Sequence, residues 1–306
     1  IINMKNIIRI ATRNSPLALK QANMVKDLLT PSSDCKIISM SSSGDTVSQK
    51  AFKEHGGKGL FLKELEESLL KGNCDIAVHS LKDVPAVIDK KFKIITISKR
   101  EVSSDVLVSD DYESIEEMPK DSIIGTSSPR RAAILRNISQ DFKIIDIRGN
   151  IHTRLTKMNN KNLDGIILAA AGLRRMGLEN KIRKYLSLDK FVPSAGQGIL
   201  CIELLRNEKK IEKILEKLCV KNVQDCADIE RQFVRAIDGD CMSPIGVHAR
   251  INKNKIIIDA YVSTLDGKRH IKVKHEDDVS NKQNVGEELA DIFLKQGAKK
   301  LLGKSV

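Results

Sequence analysis

The sequence predicts an α/β protein: two similar lobes with mixed, largely parallel sheets, followed by a small α+β domain with an antiparallel sheet. Three observations predict it. Short β-rich runs alternate with helical stretches over most of the chain, the pattern of crossover-connected sheets. The same grammar starts again near Asp105. After the last long helix it gives way to three β runs joined by turns, Asn252-Lys253-Asn254 and Asp266-Gly267, which read as an antiparallel meander.

Element by element, Ile7–Thr12 reads as a strand, and Ser15-Pro16 supplies an N-cap and a first-turn proline for the helix that follows. Leu17, Val25, Leu28 and Leu29 are its candidate core positions. Lys36–Met40 is a second strand. Phe61, Leu65 and Leu69 recur at i+4 on one helix face, and Asp75–His79 and Lys93–Ile97 are strands. The second round has strands at Asp105–Ser109, Ser122–Gly125 and Lys143–Ile147. Ser128-Pro129 opens a helix to about Asn137, and Ile151–Met158 forms another. Gly165–Ala170 is almost wholly apolar, as a central buried strand requires. Pro193–Gly198 reads as a hinge. Ile199–Glu203 resumes a strand, and a charged helix covers about Asn207–Val220. The C-terminal part reads as a helix over Asp225–Ile237, strands at Ile245–Ile251, Ile256–Ser263 and His270–Val273, and a last helix burying Val285, Leu289, Ile292 and Phe293.

Composition narrows the function. The chain has 306 residues and a formal charge of +12. That excess favours an acidic partner: nucleic acid, an anionic membrane or a ligand rich in carboxylate or phosphate. Seven Phe, three Tyr and no Trp leave few platforms for stacking single-stranded bases. The longest apolar run, Gly165–Leu173, is about half the roughly 20 residues of a membrane span. Ile1–Ile10 is broken by Asn3, Lys5, Asn6 and Arg9, so no signal-peptide core is expected; Met4 is the expected natural start. Cys35, Cys74, Cys201, Cys219, Cys226 and Cys241 form no CxxC or zinc spacing. They read as reduced thiols of a cytoplasmic protein, and no metal is expected.

The chemistry-bearing residues gather where strands end. Gly125-Thr126-Ser127-Ser128-Pro129-Arg130-Arg131 brings free N–H groups, three hydroxyls and two guanidiniums to one strand–helix corner, an anion site in form. Arg148 with Arg154, Arg13 with Ser15, and Arg174-Arg175 mark three more corners. Ligands of open α/β sheets bind at such strand ends; solvated arginines on helix ends are the other reading. His79-Ser80-Leu81-Lys82-Asp83-Val84-Pro85 follows a strand. Asp83 reads either as an ionised carboxylate that steadies a developing cation and exchanges protons or as an Asx turn before proline. His79 reads as a structural histidine rather than a base. Cys241 reads as a nucleophile or attachment point, or as an inert thiol. Gly56-Gly57-Lys58-Gly59 lacks Walker and dinucleotide spacing and reads as a mobile loop whose Lys58 reaches an anion.

Taken together, RIATRNSPLAL, GGKGLFLKELE, DIAVHSLKDVP, IGTSSPRRAA, RGNIHTRL, AAAGLRRMGL, PSAGQGIL and GDCMSPIG closely resemble the hydroxymethylbilane synthase (porphobilinogen deaminase) family, in family order over nearly the whole chain. The resemblance implies a transferase that joins four porphobilinogen molecules head to tail, with loss of ammonia, to give hydroxymethylbilane in haem biosynthesis. It implies a dipyrromethane cofactor held by a thioether to the cysteine matching Cys241. Asp83 matches the catalytic aspartate, which stabilises the azafulvene cation and handles pyrrole protons. Lys82, Asp83, Ser128, Arg130, Arg131 and Arg154 match cofactor-binding positions. Arg13, Ser15, Arg148, Arg154 and Arg175 match residues around the incoming substrate or growing chain. Ser80, Thr126, Ser127 and Gln197 belong to the same cleft, and Lys58 to a lid.

The resemblance also implies two lobes like those of periplasmic binding proteins: residues 4–98 with 199–217, then 104–192, with hinges at 99–103 and 193–198. A cofactor-attachment domain spans 221–306. It implies a monomer acting on a small polycarboxylate, with no nucleic-acid or membrane partner. Three departures stand out. Ser43 and Glu54-His55 replace basic residues common in the family, and Asp240 replaces the usual second glycine before the cysteine. An acidic side chain beside Cys241 is expected to raise the thiol pKa. A non-catalytic two-lobe binder of polyanions or carboxylates is the alternative, but it leaves Asp83 and Cys241 unexplained.

Overall fold

Residues 7–41 and 62–304 are described by the computed structural model. Strand β1 (Ile8–Arg13) leads into helix α1 (Pro16–Leu29), then β2 (Cys35–Met40), α2 (Lys63–Leu70), β3 (Ile76–Ser80) and β4 (Phe92–Ile97). Next come β5 (Asp105–Val108), β6 (Ile123–Gly125), α3 (Pro129–Ile138), β7 (Lys143–Ile145), α4 (Ile151–Asn160), β8 (Gly165–Ala169), α5 (Ala170–Arg175) and β9 (Lys184–Tyr185). The chain ends with β10 (Leu200–Leu205), α6 (Lys209–Glu216), α7 (Lys221–Ala236), β11 (Ile245–Asn252), β12 (Lys255–Ser263), β13 (His270–Asp278), α8 (Val285–Lys295) and α9 (Ala298–Leu301). These elements fall into two units, residues 1–100 with 199–224 and residues 101–198 with 225–306.

The first unit is built on a sheet ordered β2-β1-β3-β10-β4. β1 runs parallel to β2 and β3, while β10 is antiparallel to both β3 and β4, so four strands share a direction and β10 opposes them. α1 starts as its local chemistry dictates. The Ser15 hydroxyl accepts from the Ala18 N–H at 3.3 Å, and Pro16 occupies the first turn, where no N–H is needed. A 14-residue helix is marginal alone. Its hold on the sheet comes from Ala22, Val25 and Leu29, all fully buried beside Ile10 and Ile76. Leu28, expected in the core, is 39% exposed; it stands about 100° round the helix from Leu29, off the stripe that faces the sheet. Leu17 is only half-buried. Leu65 and Leu69 are buried as the i+4 spacing requires, whereas Phe61 lies outside the described residues. The charged helix expected to Val220 stops at Glu216. The Leu218 N–H bonds to Leu215 O and the Cys219 N–H to Glu216 O, a tightening to i→i+3 that ends the helix.

The second unit carries two sheets. One has the order β7-β6-β8-β5-β9, with β8 central and buried apart from Ala169 at its end. Here β6 is parallel to β7 and β8, and β5 is antiparallel to β8 and β9. One strand again opposes four, in the same position as in the first sheet. The other sheet is the antiparallel meander β11-β12-β13, with α7 and α8 contributing Phe233 and Phe293, which meet edge to face at 5.1 Å. α7 begins at Lys221, ahead of the expected Asp225. β13 runs on to Asp278 rather than Val273. It is an edge strand whose charged residues hide its two-residue period and blunt its free edge. Gly246 on β11 permits a close approach, since a Cβ there would stand 2.4 Å from Val192 O.

Candidate functional site

In the first unit, the ends of β1 and β3 and the start of α1 surround one cavity. Arg13, Ser15, Ser80 and Asp83 line it, together with Gln21 and His79. Gln21, which sequence reasoning missed, donates to Ser80 Oγ at 2.8 Å. Asp83 is exposed and sits on a 3₁₀ turn, Leu81–Asp83, beside half-buried Lys82. The Val84 N–H donates to Leu81 O at 3.0 Å to close that turn. The simplest Asx turn needs the N–H two residues on, which Pro85 lacks. The main chain therefore makes the turn and the carboxylate reaches the cavity. His79 is 6% exposed, and its Nε2 meets Glu203 Oε2 at 3.0 Å.

In the second unit the Thr126–Arg131 corner forms as its residues require. Ser128 caps α3, its hydroxyl accepting from the Arg131 N–H at 3.4 Å, with Pro129 in the first turn. The Ser128 N–H donates to Thr126 Oγ1 at 3.2 Å; Thr126 is buried, and Ser127 and Ser128 are half-buried. The two arginines turn inward onto Asp105, which is 0% exposed. Arg130 Nη1 donates to Asp105 Oδ2 at 2.7 Å and to Val192 O at 2.8 Å, and Arg130 Nε to Ser194 Oγ at 3.3 Å. Arg131 Nε and Nη2 donate to Asp105 Oδ1 at 3.0 and 2.8 Å, and Arg131 Nη1 to Ile167 O at 3.0 Å. Gln197 is fully buried. Its Nε2 donates to Asp105 Oδ1 at 2.9 Å and to Ser103 O at 2.7 Å.

Burial alone raises a carboxyl pKa, but the charges of Arg130 and Arg131 outweigh it and hold Asp105 well below the usual carboxylate range. Burial pushes Arg131 the other way, below the usual guanidinium value. The ledger of charge is uneven: two buried guanidiniums face one carboxylate. Arg130 Nη2 is moreover buried with no hydrogen-bond partner among the described residues. An uncompensated buried cation with an unused donor is costly, and a ligand carboxylate would relieve both.

Arg148 and Arg154 form a corner of their own. Gly149 turns the chain at φ +117°, where a side chain would strike Thr153, and Asn150 caps α4. Arg154 Nε donates to Gly149 O at 2.9 Å, and Arg148 Nε to Asp146 Oδ2 at 3.3 Å. Arg174 pairs with Glu101 at 2.8 Å. Arg175 Nη2 donates to Gly198 O at 2.8 Å, while its Nε is buried without a partner among the described residues; burial lowers its pKa. Cys241 is exposed on a turn that Asp240 ties, its Oδ1 accepting from the Met242 N–H and the Ser243 hydroxyl, both at 2.9 Å. The carboxylate of Asp240 is thus engaged by the turn itself. Lys58, Ser43, Glu54 and His55 lie outside the described residues.

Residues 8–213 match the family model "Porphobilinogen deaminase, dipyromethane cofactor binding domain", and residues 224–295 match "Porphobilinogen deaminase, C-terminal domain". The chain is 42% identical over 304 residues to the porphobilinogen deaminase of Campylobacter hominis, covering 98% of each. It is 37% identical over 298 residues to that of Alkaliphilus metalliredigens, covering 96% of this chain and 94% of the relative. Among solved structures, a VFT2 domain of Bordetella pertussis BvgS overlaps 74% of this chain and 90% of its own, at 13% identity and a TM-score of 0.44.

Proposed function

The chain belongs to the porphobilinogen deaminase family, and from that premise we propose that Asp83, Cys241 and the arginine corners divide its reaction among them. The activity is that of a hydroxymethylbilane synthase, a transferase that condenses four porphobilinogens head to tail with loss of ammonia, in tetrapyrrole biosynthesis. The non-catalytic alternative is not favoured.

The cofactor of the family is dipyrromethane, and the residues present fit it. When bound, it supplies the pyrrole end on which the chain is extended. Cys241, exposed on its turn, is the attachment point. Arg130 carries the reading: its buried, unused Nη2 and the positive charge left over at Asp105 suit a pyrrole acetate or propionate. Arg131 and Gln197 hold Asp105, and through it Arg130. Ser128, Lys82 and Arg154 complete the cofactor contacts. Arg13, Ser15 and Ser80 receive the incoming substrate's carboxylates. Asp83, exposed in the same cavity, steadies the cation that develops as ammonia leaves. Arg148, Arg154 and Arg175 hold the lengthening polyanion, with Thr126 and Ser127 beside them.

We also propose the division into lobes 4–98 with 199–217 and 104–192, hinges 99–103 and 193–198, and the attachment domain 221–306. The protein acts as a monomer in the cytoplasm, without nucleic acid or membrane. Burial of Arg130 and Arg131 speaks for a small polyanion, since a duplex binder needs its cations on the surface. Among the described residues no helix is long and apolar enough to cross a membrane.

The test is the intact mass of the denatured protein. An excess of two deaminated porphobilinogen units, mapped to Cys241 and lost in Cys241→Ser, is expected. A chain still unmodified after incubation with porphobilinogen or hydroxymethylbilane would overturn the attachment site.

A further inference from the structure

The sequence alone reads His79 as structural, yet the structure puts it at once on a buried carboxylate and in the lining of the Asp83 cavity. It stands near the end of β3, in register with Cys201 of β10, and Glu203 lies two residues further along that strand. His79 Nε2 meets Glu203 Oε2 at 3.0 Å, with side-chain exposures of 4% and 0%. Glu203 Oε1 is buried and has no hydrogen-bond partner among the described residues. His79 also lines the cavity shared by Asp83, Arg13 and Ser80. With Nε2 on the carboxylate, Nδ1 is the ring atom left for that cavity. A core histidine satisfied for packing alone does not need a buried carboxylate behind it, because that charge is expensive to bury.

The geometry points to His79, backed by Glu203, as the residue that carries the proton displaced at each condensation. This rests on the assignment of Asp83 above and adds a second proton-handling group to it. As the aminomethyl C–N bond breaks, its electron pair leaves on nitrogen as ammonia. The new C–C bond takes a π pair of the accepting pyrrole. That pyrrole's C–H bond then breaks, and its electron pair restores aromaticity. The freed proton passes to Nδ1 of neutral His79, whose Nε2–H is donated to Glu203, and then to ammonia, which departs as ammonium. No proton or electron is left over, and the pair returns to its starting state.

Glu203 from β10, Glu66 from α2, Asp83 and Arg13 from β1 are the charged groups around the imidazole, and Gln21 is the polar residue that α1 brings to the cavity. The pKa of Glu66 is itself pushed up by burial and then by the Glu203 charge.

The experiment uses the holoenzyme as wild type, His79→Gln and Glu203→Gln, each checked by intact mass and circular dichroism. Expected in His79→Gln is a kcat about 100-fold lower, with KM for porphobilinogen within about threefold and the acid limb of the kcat profile gone. Expected in Glu203→Gln, which removes the charged partner of Nε2, is a kcat lowered at least about tenfold with KM for porphobilinogen within about threefold. A fully loaded His79→Gln enzyme with wild-type kcat and an unchanged limb overturns the proposal. Should either variant fail to fold, NMR titration of His79 in the wild type decides. A pKa equal to that of the acid limb supports the role, and a mismatch overturns it. Loss of the adduct from wild type itself would remove the premise, and the mass measurement detects that separately.

Discussion

Arg131 places both Nε and Nη2 on one oxygen of Asp105, at 3.0 and 2.8 Å. Arg130 takes the other oxygen at 2.7 Å. Asp105→Asn leaves these two guanidiniums buried without a counter-charge. Breaking a buried pair by removing one partner costs about 3–5 kcal/mol, so a loss of that size is expected in urea unfolding. Stability within about 1 kcal/mol of wild type would show that the pair is not held as described.

The same carboxylate sets a pH dependence. Burial works against its ionisation, but the arginines hold its folded pKa well below the usual range. A depressed folded pKa stabilises the fold above the unfolded value of about 4 and loses that contribution as pH falls toward the folded value. The stability gap between wild type and Asp105→Asn should therefore be flat from about pH 5 to 8 and shrink below about pH 4. A gap that instead grew with acid would reverse the assignment.

What the sequence disclosed was what local chemistry controls. Ser15-Pro16 and Ser128-Pro129 mark helix starts because a hydroxyl cap and a missing N–H act within four residues. The arginine corners were legible as strand ends. Asp105, Glu203 and Glu230 were not, because their partners lie 25 or 26 residues off for the arginines of Asp105, 124 for His79 and 34 for Gly196. Asp105 looked like the first residue of an apolar strand, and only the folded sheet brings it under the arginines.

Asp83→Asn keeps the size of the side chain and removes its charge. Position 83 is exposed, so unfolding should shift by no more than about 0.5 kcal/mol. Turnover should fall at least about 100-fold, within the range of a general acid–base contribution. Steady-state kinetics with porphobilinogen checks this, and a loss under about tenfold would remove Asp83 from the chemistry.

Arg148 is a different case, since its side chain is 34% exposed and its partner Asp146 lies at 3.3 Å. Such a pair contributes at most about 1 kcal/mol. Arg148→Leu should fold normally yet stall the growing polyanion. Mass spectra of the denatured enzyme after a pulse of porphobilinogen should then show adducts shorter than the full chain persisting. Full-length turnover at the wild-type rate would refute the role.

Glu230 is buried at 0% exposure on α7. Its two oxygens accept from backbone amides on separate segments, Oε2 from the Gly196 N–H at 2.6 Å and Oε1 from the Ala249 N–H at 2.8 Å. Gly196 turns at φ +74°, and the next residue, Gln197, serves Asp105. The bond at Gly196 thus fixes the loop that supports the arginine pair. A glutamine at 230 has one carbonyl oxygen for two donors, and its NH₂ must face an N–H. One buried amide is left unpaired at a cost of about 1–3 kcal/mol, more because the lost acceptor was charged. Glu230→Gln should therefore unfold at lower urea, and the Gly196 and Ala249 amides should exchange faster with deuterium. Because the strain falls next to Gln197, cofactor loading should slow as well, read as adduct mass against time. Unchanged protection at both amides would break the link from α7 to the arginines, and the loop would then owe its shape to Gly196 alone.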